Sequence, residues 1–460
     1  MKENDTIAAI STPFGNSGIG IVRISGDSAI EKADSIIRSR LGKSLGLISM
    51  ESHTVKYGYV FENDKIIDEV LCTIFRKPRS FTAEDIVEIS CHGGMYILNK
   101  VLSCVLSSGI RLADPGEFTK RAFLNGRIDL SQAESVMDLI SSENEFSRSN
   151  AISQLKGSVK EKVTDLRNII LHETAYIEAC LDDPEHYDID IEYKIRLRSI
   201  ISNINDDIQS ILRESDNVFY LKNGINTVIT GKPNAGKSSL LNLLSGFDRA
   251  IVTNIPGTTR DIVSESISFG NIKLNITDTA GIRNSFDEVE KIGITKAIDE
   301  IKKADLILFV IDSSTEIEEE DRMIAEILRN KLSIVILNKS DKKKIVSEED
   351  IKKLTDSIII KMSCNEKTGI DILKNTIENL FIKNEIKDNV IYITNKRQSD
   401  LLKCAGNSLQ SVIDSIDNRM TEDVYTVDLM DAYEYLGEII GEDISDDLAD
   451  KIFEEFCMGK

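Results

Sequence analysis

An eight-residue string, GKPNAGKS at 231–238, limits the possible folds of this chain more than any other part of the sequence. It fits the pattern G-x-x-x-x-G-K-[ST], follows a strand-like run and precedes the helical run Leu240 to Leu244. Backbone N–H groups of such a loop curl around phosphates, and the following helix adds the positive end of its dipole. A chance match of the string alone is conceivable, but the strand-loop-helix context makes it remote. The sequence predicts a phosphate-binding loop in which Lys237 reaches the β and γ phosphates and Ser238 binds Mg²⁺.

The residues around this loop alternate between buried strands and helices from about 223 to 384. The predicted strands are Thr227 to Thr230, Ile272 to Asp278, Leu306 to Asp312, Ser333 to Asn338 and Ser357 to Ser363. Such alternation predicts a doubly wound, mostly parallel sheet.

The nucleotide base is predicted to be read at Asn338-Lys339-Ser340-Asp341, an N-K-x-D element after a buried strand. Asp341 can accept two hydrogen bonds from the guanine edge, which adenine cannot offer. Taken alone, the string could be an ordinary polar turn. Its position two strands after Asp278-Thr279-Ala280-Gly281 favours GTP, because D-x-x-G places a carboxylate near Mg²⁺ and a glycine amide near the γ-phosphate. Ser363-Cys364-Asn365 stands where GTPases often have S-A-K, which leaves that minor contact open.

A polar loop, Gly257 to Asp261, lies where the first switch of a GTPase is expected, and Thr259 is the natural second hydroxyl for Mg²⁺. Many GTPases have a Gln after D-x-x-G that orients the attacking water. Here Gly281 is followed by Ile282, whose side chain cannot do so. Another group must therefore position the water.

The rest of the chain predicts a multidomain α+β and α/β fold. We expect about three domains, since 460 residues are more than a single hydrophobic core usually accommodates. Short β-type runs and one helical pattern after His92 predict an N-terminal α+β domain at 1–116. Apolar residues then recur three or four apart, which predicts a helical bundle. We read 117–222 and 385–460 as the two parts of that helical domain, and 223–384 as a Ras-like P-loop GTPase domain inserted between them.

The composition limits which partners and which cellular compartment we expect for this chain. The formal net charge of −21 would repel a polyanion, so any RNA contact must be local or come from a partner, although the acidity can also serve solubility alone. The seven cysteines are scattered without C-x-x-C spacing, which argues against a disulfide framework and a zinc site. There is no signal-peptide or membrane-spanning run, so we expect a soluble cytoplasmic protein without membrane contact.

Six further motifs occur along the chain: DTIAA at 5–9, GIGIVRISG at 18–26, FTAED at 81–85, HGG at 92–94, PGEFTKRAFLNG at 115–126 and FCMGK at 456–460. With these motifs the chain resembles one known family, the bacterial and organellar tRNA-modification GTPases called MnmE or TrmE. The last motif differs from the family's F-C-I-G-K by one conservative change. The resemblance runs almost end to end.

The resemblance implies a G domain activated by K⁺ and by dimerisation rather than by an arginine finger. Asn234 matches the K⁺-coordinating side chain, and Thr253, Ile255 and Thr258 match the loop that completes the site. Glu290 aligns with the water-orienting glutamate, although by itself it is only an exposed acid on a loop. Together with Lys237 it forms the expected catalytic pair. The full GTP-binding set predicted is Asn234, Ala235, Gly236, Lys237, Ser238, Ser239, Thr253, Asn254, Ile255, Pro256, Gly257, Thr258, Thr259, Asp278, Thr279, Ala280, Gly281, Asn338, Lys339, Asp341, Ser363, Cys364 and Asn365.

The resemblance also implies that the N-terminal domain dimerises and binds 5-formyl-tetrahydrofolate or a related one-carbon folate. Arg23, Glu88 and Arg127 would line that pocket, with Lys460 approaching from the tail. Cys457 points towards the modification site in the family, which makes it a candidate catalytic thiol. The competing interpretation is a small apolar residue buried on the last helix.

The function implied is GTP hydrolysis that drives addition of a carboxymethylaminomethyl or aminomethyl group to C5 of the wobble uridine of certain tRNAs. The carbon chemistry would need an MnmG-type FAD-dependent partner, which would form a heterotetramer with a homodimer of this chain. Two alternatives stay open. A ribosome-assembly GTPase acting as a switch would require a basic RNA-binding appendage, whereas the flanking sequence is acidic and carries the folate-type motifs. The second alternative is a folate-dependent methyltransferase with a regulatory G domain.

Overall fold

The computed structural model describes residues 5–13, 15–142, 144–183, 189–246, 264–269, 272–278, 301, 303–381, 390–442, 446–454, 456 and 459. The chain forms two compact units. The first comprises Met1–Ser141, Ser149–Ile208 and Asp400–Lys460, and the second comprises Ser142–Arg148 and Gln209–Ser399.

The first unit contains a seven-stranded sheet in the order β3-β4-β5-β6-β2-β1-β7. Its strands are β1 (Ile7–Ile10), β2 (Ile19–Ser25), β3 (Ile37–Arg38), β4 (Thr54–Glu62), β5 (Lys65–Phe75), β6 (Ile86–His92) and β7 (Arg111–Leu112). All pairings are antiparallel except that of β1 with β7. Helices α1 (Ala29–Ile36) and α2 (Met95–Ser107) bury their apolar side chains with those of the strands in one core. The β-type runs and the helix expected after His92 are confirmed.

A run of helices follows this sheet. They are α3 (Glu117–Leu124), α4 (Leu130–Ile140), α5 (Glu145–Leu155), α6 (Ser158–Asp182) and α7 (Ile191–Asn223). The apolar residues whose spacing predicts long amphipathic helices are buried, among them Val163 and Ile170 on α6 and Ile201 and Ile208 on α7. The carboxylate of Asp129 accepts a hydrogen bond from the Gln132 N–H, and the Gln132 side chain accepts one from the Asp129 N–H, so a capping box starts α4.

The second unit is built on a six-stranded sheet in the order β13-β12-β11-β8-β10-β9. Its strands are β8 (Ile225–Thr230), β9 (Ser264–Phe269), β10 (Ile272–Asp278), β11 (Leu306–Asp312), β12 (Ser333–Asn338) and β13 (Ile358–Lys361), and its helices are α8 (Lys237–Ser245), α9 (Glu319–Ile327), α10 (Glu348–Lys352) and α11 (Ile370–Phe381). Every residue of β11 and β12 is buried, as a central parallel strand requires. The five predicted strands are present, and the edge strand β9 is an addition that runs antiparallel to β10.

The chain then returns to helices α12 (Lys396–Asp417), α13 (Glu422–Ile440) and α14 (Asp446–Glu454). An α+β part, a helical part and a parallel α/β part are thus all present, which confirms the predicted fold class. Within the described ranges, no helix combines the length and apolar character needed to cross a membrane.

A buried arginine joins helix α3 to the edge of the first sheet. The Arg121 guanidinium donates to the carboxylates of Asp5 at 2.5 Å, Glu117 at 3.0 Å and Glu84 at 3.2 Å. Its side chain is only 8% exposed. Burial works against charge here, but the neighbouring carboxylates outweigh it and the pKa of Arg121 is raised above its ordinary value. Arg121 therefore contributes to the neutralisation of all three carboxylates. Arg111 shares two of them, because it also contacts Asp5 and Glu117.

Replacing Arg121 with Met should lower the free energy of unfolding by about 3–5 kcal/mol, because removal of one partner strands buried charge. Urea unfolding followed by circular dichroism measures the change. Lys77→Met is the control, since Lys77 pairs with Asp27 at 2.8 Å on the open surface and should shift the transition hardly at all. Equal shifts in the two variants would contradict a special role for the buried cluster.

Candidate functional site

The loops that carry the predicted nucleotide residues meet at one edge of the second sheet. Strands β8, β10, β11 and β12 are mutually parallel, so their carboxyl ends lie together. Asp278 ends β10 in register with Ile229 of β8, and Asp312 ends β11 in register with Asn338 of β12. Ligands of open α/β sheets bind at this edge.

The phosphate-binding loop has a backbone that only its glycines permit. Gly231 has a φ of 143° and Gly236 a φ of 109°, in the region that residues with a side chain avoid. A Cβ on Gly231 would collide with the carbonyl oxygen of Val310, and one on Gly236 with the side-chain amide nitrogen of Asn338. Both glycines therefore allow the loop to lie directly against neighbouring strands.

The side chain of Lys237 contacts the backbone of the phosphate-binding loop. Its Nζ donates hydrogen bonds to the carbonyl oxygens of Gly231 at 2.8 Å and Lys232 at 2.7 Å. Ser238, on the first turn of α8, is exposed, and its hydroxyl makes no hydrogen bond to a residue that the structure describes. The Lys237 ammonium can exchange these carbonyl oxygens for phosphate oxygens, to which a charged donor binds more strongly.

The N-K-x-D element is attached to the phosphate-binding loop by two side chains. The Asn338 amide donates to the carbonyl oxygen of Ala235 at 2.9 Å. The Lys339 ammonium donates to the carbonyl oxygen of Asn234 at 2.9 Å and to the carboxylate of Asp312 at 2.5 Å. Asn338 is 2% exposed, so this amide is fixed in a dry environment. The base-reading and phosphate-reading segments thus form one connected site.

Asp341 presents an ionised carboxylate at this edge. The Ser363 hydroxyl donates to its Oδ1 at 2.6 Å, and this hydrogen bond lowers the pKa of Asp341 below its ordinary value. The side chain of Asp341 is exposed, as required for contact with a ligand. The Cys364 N–H donates to Asn338 Oδ1 at 3.1 Å, and burial raises the pKa of the Cys364 thiol to about 11. The S-C-N segment therefore supports Asn338 and Asp341, and Asn365 is exposed beside it.

Several predicted residues lie outside the described residues: Thr253, Asn254, Ile255, Pro256, Gly257, Thr258, Thr259, Thr279, Ala280, Gly281, Glu290, Cys457 and Lys460. Of the Mg²⁺ donors, Ser238 is described, and Asp278 is placed at the end of β10. A free hydroxyl and a strand-terminal carboxylate are oxygen donors of the kind that Mg²⁺ prefers.

A second set of predicted residues converges in the first unit. Arg23 of β2 and Glu88 of β6 are direct cross-strand partners, and Nε and Nη2 of Arg23 donate to the same oxygen, Glu88 Oε1, at 2.9 and 2.8 Å. Glu88 Oε2 has no hydrogen bond to the described residues and is available to a ligand. Two guanidinium groups lie over the Phe81 ring, whose centre is 5.6 Å from Cζ of Arg23 and 5.1 Å from Cζ of Arg127.

A cleft of about 390 Å³ adjoins Phe81 and Arg127. Arg127 donates to the carbonyl oxygen of Phe81 at 2.6 Å, and burial lowers its pKa below the ordinary value. The tail of the chain reaches the same region, because the Gly459 carbonyl accepts hydrogen bonds from Arg23 Nη1 at 3.4 Å and from Ser11 Oγ at 3.0 Å. The arrangement can hold an aromatic ligand that carries both a hydrogen-bond donor edge and a carboxylate.

Sequence reasoning missed three residues of these sites. In the sequence Phe81 is only one residue of the FTAED motif, although its ring lies near two arginines. Asp312 is only a strand end in the sequence, yet it binds Lys339. Lys232 is an unspecified position of the phosphate-binding pattern. The signal available for Asp312 is its place at the carboxyl end of a parallel strand.

Three features define the class of this chain: the parallel sheet, the phosphate-binding loop after β8 with a glycine at each end, and the N-K-x-D element after β12. It is a P-loop GTPase. Comparison with known proteins gives the family. The family model described as the MnmE helical domain matches residues 130–457, and that described as the N-terminus of GTP-binding protein TrmE matches residues 6–127. The chain belongs to the MnmE family of tRNA modification GTPases.

Relatives match over the whole chain. The tRNA modification GTPase MnmE of Lachnoclostridium phytofermentans is 50% identical over 459 residues, which cover 100% of both chains. Those of Acetivibrio thermocellus and Clostridioides difficile are 46% and 44% identical, again with 100% of each chain covered. The resemblance predicted from the motifs is thereby confirmed.

Asp341→Asn should change the base that this site accepts. The variant loses the charged acceptor for two guanine donors, so the affinity for GTP should fall by at least about 30-fold. Xanthosine triphosphate, which offers an oxygen where guanine has its amino group, should gain affinity because the new amide can donate to it. Competition against a fluorescent guanine nucleotide measures both.

Ser363→Ala is the matched variant, because it removes the hydroxyl that holds Asp341 and leaves the carboxylate. It should weaken GTP binding less and leave the order of preference unchanged. Asp341 must be ionised to accept from guanine, and its depressed pKa keeps it ionised to lower pH than an ordinary Asp. When the pH is lowered, Ser363→Ala should therefore lose its affinity for GTP at a higher pH than the wild type. Undiminished GTP binding by Asp341→Asn would contradict the assignment of the base site.

Proposed function

We propose that this chain hydrolyses GTP and uses the resulting conformational change, with an MnmG-type FAD-dependent partner, to modify tRNA. The product is a carboxymethylaminomethyl or aminomethyl group on C5 of the wobble uridine. The observation that carries the proposal is the joined site at 231–238 and 338–341, where a phosphate loop and a guanine-reading element share hydrogen bonds, in a chain of the MnmE family. The domain limits expected from sequence, 1–116, 117–222, 223–384 and 385–460, belong to this proposal.

Hydrolysis needs charge stabilisation at the phosphates. Lys237 exchanges the carbonyl oxygens of Gly231 and Lys232 for the β and γ phosphates, and the N–H groups at the start of α8 point towards the same anion. Ser238 and Thr259, with Asp278, would hold Mg²⁺, which would neutralise charge that develops on the phosphate oxygens. Glu290 orients the attacking water, since Ile282 has no group that can do so.

A monovalent cation supplies the remaining positive charge in this proposal. Asn234 has a left-handed backbone, φ 61°, and an exposed side chain, while its carbonyl is held by Lys339. Its amide oxygen is therefore presented on a fixed backbone, where it can bind K⁺ together with Thr253, Ile255 and Thr258. A cation held by these residues would supply the positive charge that an arginine finger gives in other GTPases.

GTP hydrolysis by the purified chain should be at least about tenfold faster in K⁺ than in Na⁺ at equal ionic strength, because the larger ion fits a site of amide and carbonyl oxygens. Asn234→Ala should lose the K⁺ stimulation and keep the rate seen in Na⁺. Glu290→Ala should lose activity in both salts. Phosphate release at saturating GTP is the measurement.

Equal rates in the two salts would contradict cation activation and would favour a ribosome-associated switch. A loss of GTP binding in Asn234→Ala would show that the variant disturbs the loop itself. Titration with a fluorescent guanine nucleotide, performed on the same samples, separates this effect from the loss of activation.

The active form proposed is a homodimer formed through the N-terminal sheet. The face of β4 and β5 that points away from α1 and α2 exposes Val55 at 57%, Tyr57 at 52% and Leu71 at 48%. Apolar side chains that share a sheet face in this way are typical of an interaction surface. A second copy of this chain covers it in the proposal, and a monomer in sedimentation equilibrium at micromolar concentration would contradict that.

The tRNA is held largely by the flavoprotein partner, since a chain of net charge −21 offers little phosphate affinity of its own. Filter binding should therefore detect tight, salt-dependent tRNA binding by the mixture of the two proteins and much weaker binding by this chain. Equally tight binding without the partner would contradict this division of roles.

The one-carbon donor is 5-formyl-tetrahydrofolate or a related folate, bound around Phe81. The free Oε2 of Glu88 accepts from the amino edge of the pterin ring, the ring lies near Phe81, and Arg127 and Lys460 meet the glutamate carboxylates. Arg23 holds Glu88 in position through its two hydrogen bonds.

Glu88→Gln should weaken folate binding by about tenfold or more, because a charged acceptor is replaced by a neutral one. Arg127→Met should weaken it similarly through the carboxylates. Isothermal titration with 5-formyl-tetrahydrofolate measures the affinity, and Arg38→Met, whose exposed partner is Asp64 at 3.5 Å, is the control. Unchanged folate affinity in both site variants would overturn this placement of the pocket.

A further inference from the structure

The second residue of the phosphate-binding loop, Lys232, buries its side chain against the segment that follows β11. Its side chain is 10% exposed. The Nζ lies 3.0 Å from Oδ2 of Asp321 and 3.4 Å from Oε2 of Glu318, and it donates to the carbonyl oxygen of Glu316 at 3.4 Å. Asp321 stands in the first turn of α9 and is itself 1% exposed. A buried ion pair therefore joins the phosphate loop to α9.

The main chain of the same residue holds the part of the loop that faces phosphate. The carbonyl oxygen of Lys232 accepts from Nζ of Lys237 at 2.7 Å and from the Ala235 N–H at 3.3 Å. Any shift of Lys232 consequently moves the acceptor on which Lys237 rests. The side chain of Lys232 thus fixes a backbone position that the nucleotide uses.

The segment from Asp312 to Asp321 is attached to the nucleotide site at both ends. At its start, Asp312 binds Lys339 of the base-reading element at 2.5 Å. At its end, Asp321 binds Lys232 of the phosphate loop. The segment therefore contacts both the base-reading element and the phosphate loop.

The charge balance makes this link costly to break. Asp321 Oδ2 also accepts from the Glu318 N–H at 3.1 Å, whereas Oδ1 is buried and has no hydrogen-bond partner among the described residues. Burial disfavours the charged form of Lys232, but the carboxylates of Asp321 and Glu318 outweigh it and raise the pKa of Lys232. Loss of either Lys232 or Asp321 leaves a buried charge without its main partner.

We propose that Lys232 is a positioning residue for nucleotide binding and that its ion pair with Asp321 holds the phosphate loop in its binding shape before nucleotide arrives. The proposal rests on the proposed function only in placing a guanine nucleotide in this loop. Without the pair, part of the binding free energy must order the loop, as for any site that is not organised in advance. GTP and GDP share the phosphates next to the loop, so both should lose affinity by the same factor.

The test compares Lys232→Met, Lys232→Arg and Asp321→Asn in the full chain, with fluorescent GDP and GTP as probes. Lys232→Met and Asp321→Asn should each raise the dissociation constants by about tenfold. Lys232→Arg keeps the charge and should stay within about twofold of the wild type. In hydrolysis, KM should rise while kcat at saturating GTP stays the same.

Two further variants separate positioning from stability. Lys361→Met removes an exposed partner of Glu348, 2.6 Å away in the same unit, and should leave nucleotide affinity unchanged. Lys232→Met combined with Asp321→Met removes both charges, so it leaves no stranded charge and should fold stably. It should still bind nucleotide as weakly as Lys232→Met.

Wild-type affinity in the double variant, or in Lys232→Met with only a lower melting temperature, would overturn the proposal. A fall in kcat instead of a rise in KM would overturn it too, since the pair would then act on the chemical step. Failure of the wild-type chain to bind any guanine nucleotide would instead overturn the proposed function. The two failures are therefore distinguishable.

Discussion

A single buried amide, that of Asn338, holds the nucleotide site together. Its nitrogen donates to the carbonyl of Ala235 in the phosphate loop, and its oxygen accepts from the N–H of Cys364 in the loop after β13. Gly236 makes this possible, since a side chain there would occupy the place of the amide. A buried amide without hydrogen-bond partners costs free energy. The phosphate loop, the N-K-x-D element and the loop after β13 are therefore fixed relative to one another, because all three take part in the hydrogen bonds of this one side chain.

Charges extend this connection outward. Lys339 links Asn234 to Asp312, and Lys232 links the loop to Asp321, so two lysines paired with buried carboxylates brace the site. The first unit uses the same device, with Arg121 among three carboxylates. In a chain of net charge −21, each well-placed cation neutralises several acids, and such positions are where substitutions should be most damaging.

Much of the nucleotide half could be predicted from sequence because its signals are local. Strands of a parallel sheet are continuous apolar runs, and their carboxyl ends carry the functional residues. Prediction of the strands therefore also predicted where the site residues lie. Strand β9 escaped prediction because it is an edge strand in which Ser264, Ser266 and Ser268 alternate with other residues and no apolar run forms. Edge strands need only one apolar face.

The cluster of Arg23, Glu88 and Arg127 in the first unit could be predicted only through the family. Arg23 and Glu88 read as ordinary strand residues, and no local pattern reveals that β2 and β6 pair in the register that sets them opposite each other. The partners of Lys232 are likewise invisible in sequence, because Asp321 lies almost ninety positions away and is one acid among many. Long-range register and side-chain direction are properties of the folded chain.

The most direct test of the whole account exchanges the nucleotide that drives the modification. Purified chain, an MnmG-type flavoprotein, folate, an amine donor and unmodified tRNA are combined, and the wobble nucleoside is measured by mass spectrometry. Wild type should modify tRNA with GTP and fail with xanthosine triphosphate, whereas Asp341→Asn should do the reverse. Modification by Asp341→Asn with GTP at the wild-type rate, or by either protein without nucleotide, would contradict the claim that hydrolysis at this site drives the reaction.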